Sequence, residues 1–340
     1  MKVLVTGGAG YIGSHTCREL LCAGYDVHVI DNLDNGNFEA LMRVNCLSNH
    51  DLAFTECDVR DVSALDKVFA EFQPDIVVHF AGLKAVGESI SKPALYYDVN
   101  VGGTATLLRA MERASCDNIV FSSSATIYGE PQYLPCDENH PLSPINPYGR
   151  TKLMGEILLQ DWSSVSPNTR HAVALRYFNP VGAHVSGLIG EDPRGIPNNL
   201  MPYIAQVAAG LRESLNVFGS DYPTHDGTGV RDYIHVVDLA EAHRVALERL
   251  IQGQGKDPME VFNLGTGTGS SVLEVIQSFD RATGEALQWA YAPRRAGDVI
   301  AAYADTTKAR DVLGWVAEKS LDEAMKDAWA WQVALGSDSH

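Results

Sequence analysis

Three side chains in the first half of the chain could move a proton off an alcohol: Tyr148, Lys152 and Ser124. Tyr148-Gly149-Arg150-Thr151-Lys152 has the spacing Y-x-x-x-K, and on a helix residues i and i+4 share one face. A lysine ammonium beside a phenol favours the phenolate and lowers its pKa. A phenol tuned toward neutral pH can take a proton from an alcohol while hydride leaves the carbon. A serine hydroxyl nearby, Ser124 at the end of Phe121-Ser122-Ser123-Ser124, can hold the reacting oxygen. Each feature alone has an ordinary alternative: a surface Tyr–Lys pair in a chain with 13 tyrosines, or strand-end hydrogen bonding for the serines. Their weight comes from position, behind a fifth strand in a chain that also carries a loop suited to a hydride-carrying dinucleotide.

That loop lies in the first residues. Val3-Leu4-Val5 reads as a buried strand, Gly7, Gly10 and Gly13 follow at G-x-x-G-x-x-G, and His15 to Ala23 reads as a helix stopped by Gly24. Glycines let the backbone turn sharply and approach a pyrophosphate, and the helix N-terminus offers free N–H groups and a positive dipole end. Tyr25 to Ile30 reads as the next strand, with Asp31 at its end, 18 residues after Gly13. An acid there accepts from the adenosine ribose hydroxyls and repels a 2′-phosphate, which selects NAD over NADP. Asn32, rather than an arginine, stands beside it.

The elements that position these residues alternate. Strands are expected at 51–56, 75–80, 118–121 and 171–175, with helices at 61–72, 93–114 (carrying Asn100) and from Tyr148 onward. Regular β-α alternation means an α/β fold with a doubly wound, Rossmann-type parallel sheet and helices on both faces. Asp58 and Val59, and the loop Ala81-Gly82-Leu83-Lys84, fall at carboxyl ends of strands, where such a sheet meets its ligand. The pattern changes near residue 178. Residues 178–195 read as loops, and shorter helices and strands follow: helices 200–210, 238–250, 271–283, 306–313 and 321–333, and strands 216–219, 233–236, 259–264 and 287–291. The expected organisation is a dinucleotide-binding domain at 1–177, receiving parts of about 230–262, and a smaller mixed α/β substrate lobe at 178–340 interleaved with it. The tail from Gly336 to His340 is expected to fray.

Of the 340 residues, 45% are hydrophobic and 20% charged, ordinary for a soluble globular protein. No signal segment and no apolar run of membrane-spanning length is apparent, and the six scattered cysteines form no metal-ligand pattern. A reduced, cytoplasmic protein without a bound metal is expected. The net charge of −17 argues against nucleic acid or an anionic membrane as partner. An anionic ligand must then be met by locally concentrated arginines. Arg231, and Arg294-Arg295 ahead of Gly297-Asp298, suit phosphate oxygens, while Asp298 could accept from ribose hydroxyls. For either arginine alone, surface ion pairing is the simpler account.

Together, Thr6-Gly7-Gly8-Ala9-Gly10-Tyr11-Ile12-Gly13, Ser124 and Tyr148-x-x-x-Lys152 resemble the extended short-chain dehydrogenase/reductase family. Longer runs are similar to its UDP-glucose 4-epimerase branch across nearly the whole chain: residues 79–89, 121–129, 176–183, 197–203 and 229–235. The resemblance implies an isomerase. Bound NAD would oxidise C4 of a UDP-sugar, the 4-keto sugar would rotate, and hydride would return to the opposite face, linking UDP-galactose and UDP-glucose. It implies NAD contacts at Gly7, Gly10, Tyr11, Ile12, Gly13, Asp31, Asn32, Asp58, Val59, Phe80, Ala81, Gly82, Lys84, Asn100, Ser124, Tyr148, Lys152 and Phe178. It implies UDP-sugar contacts at Lys84, Ser124, Tyr148, Asn179, Asn199, Leu200, Val217, Phe218, Arg231, Arg295, Asp298 and Ala302, and a homodimer. Val99, before Asn100, departs from the family's frequent second asparagine.

Two rivals stand beside the epimerase: a sugar-nucleotide dehydratase or decarboxylase of the same family, and a non-catalytic dinucleotide-binding protein. Dehydratases usually carry Thr-Asp-Glu where this chain has Ser124-Ala125-Thr126, and a non-catalytic protein would need neither Tyr148 nor Lys152. Substrate breadth turns on the position four residues after Asp298. There the family pairs tyrosine with plain hexoses and a small residue with N-acetylated ones. Here it is Ala302, followed by Tyr303, so a one-residue slip reverses the expectation that UDP-N-acetylglucosamine and UDP-N-acetylgalactosamine are also turned over.

Overall fold

The structure, a computed structural model, describes residues 1–295 and 297–337; the last three residues of the tail read above as frayed lie outside the described residues. The first half runs β1 (Lys2–Thr6), α1 (Tyr11–Cys22), β2 (Asp26–Asp31), α2 (Phe38–Ser48), β3 (Ala53–Glu56), α3 (Val62–Phe72), β4 (Ile76–His79), α4 (Val86–Ser91), α5 (Pro93–Tyr96), α6 (Gly103–Ala114), β5 (Asn118–Ser122), α7 (Pro147–Ser164) and β6 (His171–Tyr177). The second half runs β7 (Asn179–Val181), α8 (Leu200–Ala208), β8 (Leu215–Phe218), β9 (Val230–Arg231), β10 (Tyr233–His235), α9 (Val236–Ile251), β11 (Met259–Leu264), β12 (Ser270–Ser271), α10 (Val272–Thr283), β13 (Trp289–Ala292), β14 (Ala301–Ala302) and α11 (Leu321–Ser337).

Seven strands form one all-parallel sheet in the order β11-β6-β5-β4-β1-β2-β3. The chain turns back between β1 and β4, and there the carboxyl ends of the strands open a crevice for a ligand. The central strands read as continuous apolar runs because both faces are covered: Val3, Leu4, Val5, Val77 and Val78 are wholly buried. Val3 and Val5 pack into one core with α1 and α9, while Leu4 and Val77 pack into the other with α3 and α6. β11 arrives from the second half to extend the sheet beside β6. A third core, around Ile204, Val217, Phe279 and Met325, holds the smaller lobe together.

Several elements differ from expectation. α1 begins at Tyr11 rather than His15, because Gly10 serves as its N-cap. The helix expected over 93–114 is interrupted by a π-helical turn at Tyr97–Gly102, which carries Asn100 inward. α2 and α4 are not expected from the sequence: each buries too few apolar positions to show a period, Leu41 and Val44 in α2 and none in α4, whose one buried residue is Ser89. The segment expected as loops after residue 178 contains β7, paired with β10. α11 runs on through Gly336, part of the segment expected to fray.

Candidate functional site

The glycine turn is built for close approach. Gly7 has φ +72°, and a side chain there would meet Ala81 N at 2.6 Å. A Cβ on Gly13 would stand 2.3 Å from Gly7 O, so the first turn of α1 lies directly on the loop. α1 has no side-chain cap and no acid in its first turn, which leaves its opening N–H groups and its positive end for a ligand. These residues fit a dinucleotide pyrophosphate. Ile12 packs on the sheet core, and the Tyr11 hydroxyl donates to Gly182 O at 2.6 Å, tying the helix start to the loop after β7.

Asp31 closes this end. Its Oδ2 accepts from Ala9 N at 3.0 Å and its Oδ1 from Leu33 N at 2.8 Å; burial raises its pKa while these bonds lower it. A Cβ on Gly36 would come 2.9 Å from Asp31 Oδ1. Asn32 bridges Asp34 and Asp58. Asp58 is held mainly by the Arg60 guanidinium, which lowers its pKa to about 2. Val59, by contrast, packs its side chain into the core against Gly103, so only its backbone can face a cofactor.

On the other side of the crevice, Phe80, Ala81 and Gly82 lead from β4. Asn100 spends both ends of its amide on protein partners. Its Oδ1 accepts from Leu83 N at 2.8 Å, and its Nδ2 donates to Leu83 O at 3.0 Å and to Thr151 Oγ1 at 2.9 Å. Its place is therefore to clamp the β4 loop to α7 rather than to reach a cofactor with its side chain.

α7 starts as the sequence requires. Asn146 caps Gly149 N at 2.8 Å and Pro147 occupies the first turn. Tyr148 and Lys152 come out one turn apart and both are buried. Lys152 Nζ donates to Ser122 O at 2.7 Å and lies 5.9 Å from the Tyr148 ring centroid. Ser124 Oγ accepts from Thr126 N and from Thr126 Oγ1, which leaves its own proton for a partner at Tyr148. The expected lowering of the Tyr148 pKa is absent in the chain alone. Burial raises it to about 12, with only the Ser124 side chain pulling it down, and burial lowers Lys152 to about 8. Desolvation governs both groups, so a tuned phenolate needs a further positive charge beside it.

The second lobe gathers a cationic corner. Arg231 donates Nη1 to Val230 O at 2.8 Å and, among the described residues, has no carboxylate partner. Arg295 lies with its guanidinium 4.9 Å from the Phe218 ring and grips Asp298 through two bonds of 3.0 and 3.1 Å. Arg231, Arg295 and Asp298 all act electrostatically on buried Tyr233, which places them together. Asp232, fully buried, holds this corner by accepting from Thr266 N, Thr266 Oγ1, Gly267 N and Ala304 N. Phe178 packs with Ile127, Tyr128 and Ala304, and Ala302 lies against the same group, in register beside Arg231. Strand alternation turns Tyr303 the other way, over Gly269. Val217 departs from expectation: it is wholly buried in the lobe's core, so its side chain does not face the crevice. Leu200 also packs on that core, while Asn179 is exposed at β7.

Lys84 and Asn199, expected to meet ligand from opposite lobes, converge on one carboxylate. Glu191 Oε1 accepts from Lys84 Nζ at 2.8 Å and from Asn199 Nδ2 at 2.7 Å. Sequence reasoning missed Glu191, Asp232, and the buried pair Glu156–Arg176 beneath the serines. Glu156 alone had a visible signal: it follows Lys152 by four residues on the same helix.

A family profile described as GDP-mannose 4,6 dehydratase matches residues 4–328. The UDP-glucose 4-epimerase of Bacillus subtilis (strain 168) is 55% identical over 332 residues, covering 98% of this chain and 97% of that protein. The crystal structure of the Stenotrophomonas maltophila UDP-glucose-4-epimerase, with bound NAD and formylated UDP-arabinopyranose, superposes with a TM-score of 0.96 at 48% identity over 99% of both chains. That of the Bifidobacterium longum enzyme, in complex with NAD+ and UDP, gives 0.94 at 50% identity over 98% of both.

Proposed function

This chain belongs to the UDP-glucose 4-epimerase family, and from that premise we propose that it interconverts UDP-galactose and UDP-glucose with tightly held NAD. The observation that carries the reading is a buried Tyr148–Lys152 pair one helical turn apart, at the carboxyl end of a parallel sheet that opens with an uncapped glycine turn. The cofactor supplies a reversible hydride acceptor for C4. Gly7, Gly10 and Gly13 with the N–H groups of Tyr11 and Ile12 would hold its pyrophosphate, and Asp31 its adenosine ribose. Arg231 and Arg295 would take the sugar's diphosphate, offsetting the repulsion of a chain with net charge −17. Ser124 fixes the reacting oxygen, Tyr148 accepts and returns its proton, and Lys152 stabilises the phenolate. A dehydratase needs acids beside the serine. Ala125 supplies none, and Thr126 donates its hydroxyl to Ser124. The chain works as two lobes divided near residue 178. Its six free thiols suit a reducing cytoplasm. Tyr148→Phe should lose several orders of magnitude in kcat with UDP binding kept; near-wild-type turnover would sink the assignment.

Two finer readings go with it. The small Ala302 side chain, facing the Phe178 group while Tyr303 faces away, favours turnover of the N-acetylated UDP-sugars as well, since a pocket cannot strongly reject a group it has room for. The apolar residues Val86, Ile90, Leu95, Met154 and Ile157 are exposed on the neighbouring helices α4, α5 and α7, Ile90 to 64%, and this face suits a second copy of the chain. Among the described residues, no helix is long and apolar enough to cross a membrane.

A further inference from the structure

The inward face of α7 carries a third ionisable residue. Glu156 stands one turn beyond Lys152, as Lys152 stands one turn beyond Tyr148. Its side chain is 6% exposed and that of Arg176, from β6, 5%. Arg176 donates Nε to Glu156 Oε1 at 3.0 Å and Nη2 to Oε2 at 2.7 Å. The strand that holds Lys152 also holds this pair: Ser122 O accepts from Lys152 Nζ, and the hydroxyl of the next residue, Ser123, donates to Glu156 Oε1. Along one buried line the groups run phenol, ammonium, carboxylate, guanidinium.

We propose that Glu156 is a positioning residue that decides where the shared proton of the Tyr148–Lys152 pair resides. Once the pair has lost one proton, the other can sit on Nζ, leaving a phenolate, or on the phenol oxygen, leaving a neutral amine. The two forms differ only by transfer of that proton, so pH does not choose between them. A fixed negative charge nearer to Nζ than to the phenol oxygen does. It favours the proton on the lysine, so that with the cofactor's positive charge beside the phenol the phenolate form would be left to accept the sugar's proton. This inference rests on the reading of Tyr148 as proton acceptor.

Among the described residues, no other group around the pair can do the same. His79 from β4 is kept neutral by burial, its pKa lowered to about 3. Tyr177 from β6, Tyr128 after β5 and Tyr96 from α5 are pushed up by burial and stay uncharged. Glu138 is turned to Asn263 N at 2.8 Å, and its backbone carbonyl accepts from Arg176. Arg176 is a cation and works in the opposite direction, one step further away.

The test is a pH titration of the holoenzyme by tyrosinate absorbance in the near ultraviolet, each background corrected by the same protein carrying Tyr148→Phe. In Glu156→Gln the alkaline plateau of the Tyr148 signal, reached before the remaining tyrosines titrate, should fall about fivefold to tenfold. kcat should fall by a similar factor with KM held, and Glu156→Asp should restore most of both. If Arg176, left unpaired, prevents Glu156→Gln from folding, the double variant Glu156→Gln/Arg176→Met removes both buried charges and should show a smaller loss of plateau in the same direction, because the nearer charge dominates. An unchanged plateau in whichever variant folds overturns the proposal while leaving the role of Tyr148 intact. A signal that persists in Tyr148→Phe overturns it through its premise instead.

Discussion

Gly13→Ala tests the cradle with a single methyl group. Its Cβ would stand 2.3 Å from Gly7 O and 2.8 Å from Gly8 Cα. Both neighbours are backbone, so neither can swing aside, and α1 must lift off the glycine turn. Overpacking of this kind costs about 1–3 kcal/mol, offset by up to about 1 kcal/mol from replacing glycine with alanine in a helix. Net destabilisation should therefore be about 0–3 kcal/mol, and the protein should still fold. The larger effect falls on the cofactor. Lifting the first turn lengthens bonds from its N–H groups to a pyrophosphate, and bonds to charged groups contribute about 1.5–3 kcal/mol each. Loss of one to two of them, about 1.5–6 kcal/mol, weakens NAD binding by about 10-fold to 10,000-fold. The assay is NAD content of the purified protein and its affinity by calorimetry, beside thermal unfolding. Gly336→Ala, where a Cβ meets nothing within 4 Å, is the control and should leave NAD unchanged while raising stability by at most about 1 kcal/mol. Full NAD occupancy at wild-type affinity in Gly13→Ala would refute the reasoning that places the pyrophosphate on this turn.

Ala302→Tyr should remove N-acetyl-sugar turnover selectively, measured as kcat/KM for both substrate pairs; equal losses on both would refute Ala302 as the wall of the sugar pocket. Ile157→Arg, buried in a proposed dimer face but exposed in the single chain, should yield a folded monomer by light scattering, and an unchanged mass would remove that face from the dimer. Asp58 has its pKa lowered from 3.8 to about 2, so its stabilising contribution is complete above the unfolded value and is lost as pH falls from about 4 toward 2. Asp58→Asn should therefore flatten the acid limb of the Tm–pH curve in that window and leave its neutral region parallel; an identical acid limb would contradict the Arg60–Asp58 bond.

What was legible in the sequence follows from how local its cause is. The strand, glycine turn and helix at the N-terminus are contiguous, and so are Asn146, Pro147, Tyr148 and Lys152, whose cap and spacing fix α7 and its inward face. The parallel sheet was legible because buried strands such as Val3–Val5 and Ile76–Val78 read as unbroken apolar runs. Less of the site's wiring could be read. Lys84 meets Glu191 across 107 residues, and Arg176 meets Glu156 across 20 from another element, so only folding brings these charges together. Val217 sits in a strand where alternation, invisible in a four-residue segment, sends its side chain to the core. The raised Tyr148 pKa of the chain alone was hidden for a similar reason: spacing shows the lysine beside the phenol but not the burial of the phenol.

The most direct test of the account is one incubation. Purified protein is mixed with UDP-galactose, no cofactor is added, and UDP-glucose is measured by a coupled assay. A net-neutral redox cycle on retained NAD predicts continuous formation of UDP-glucose up to equilibrium. No conversion unless NAD is supplied in stoichiometric amount, or accumulation of a dehydrated or decarboxylated sugar instead, would contradict it.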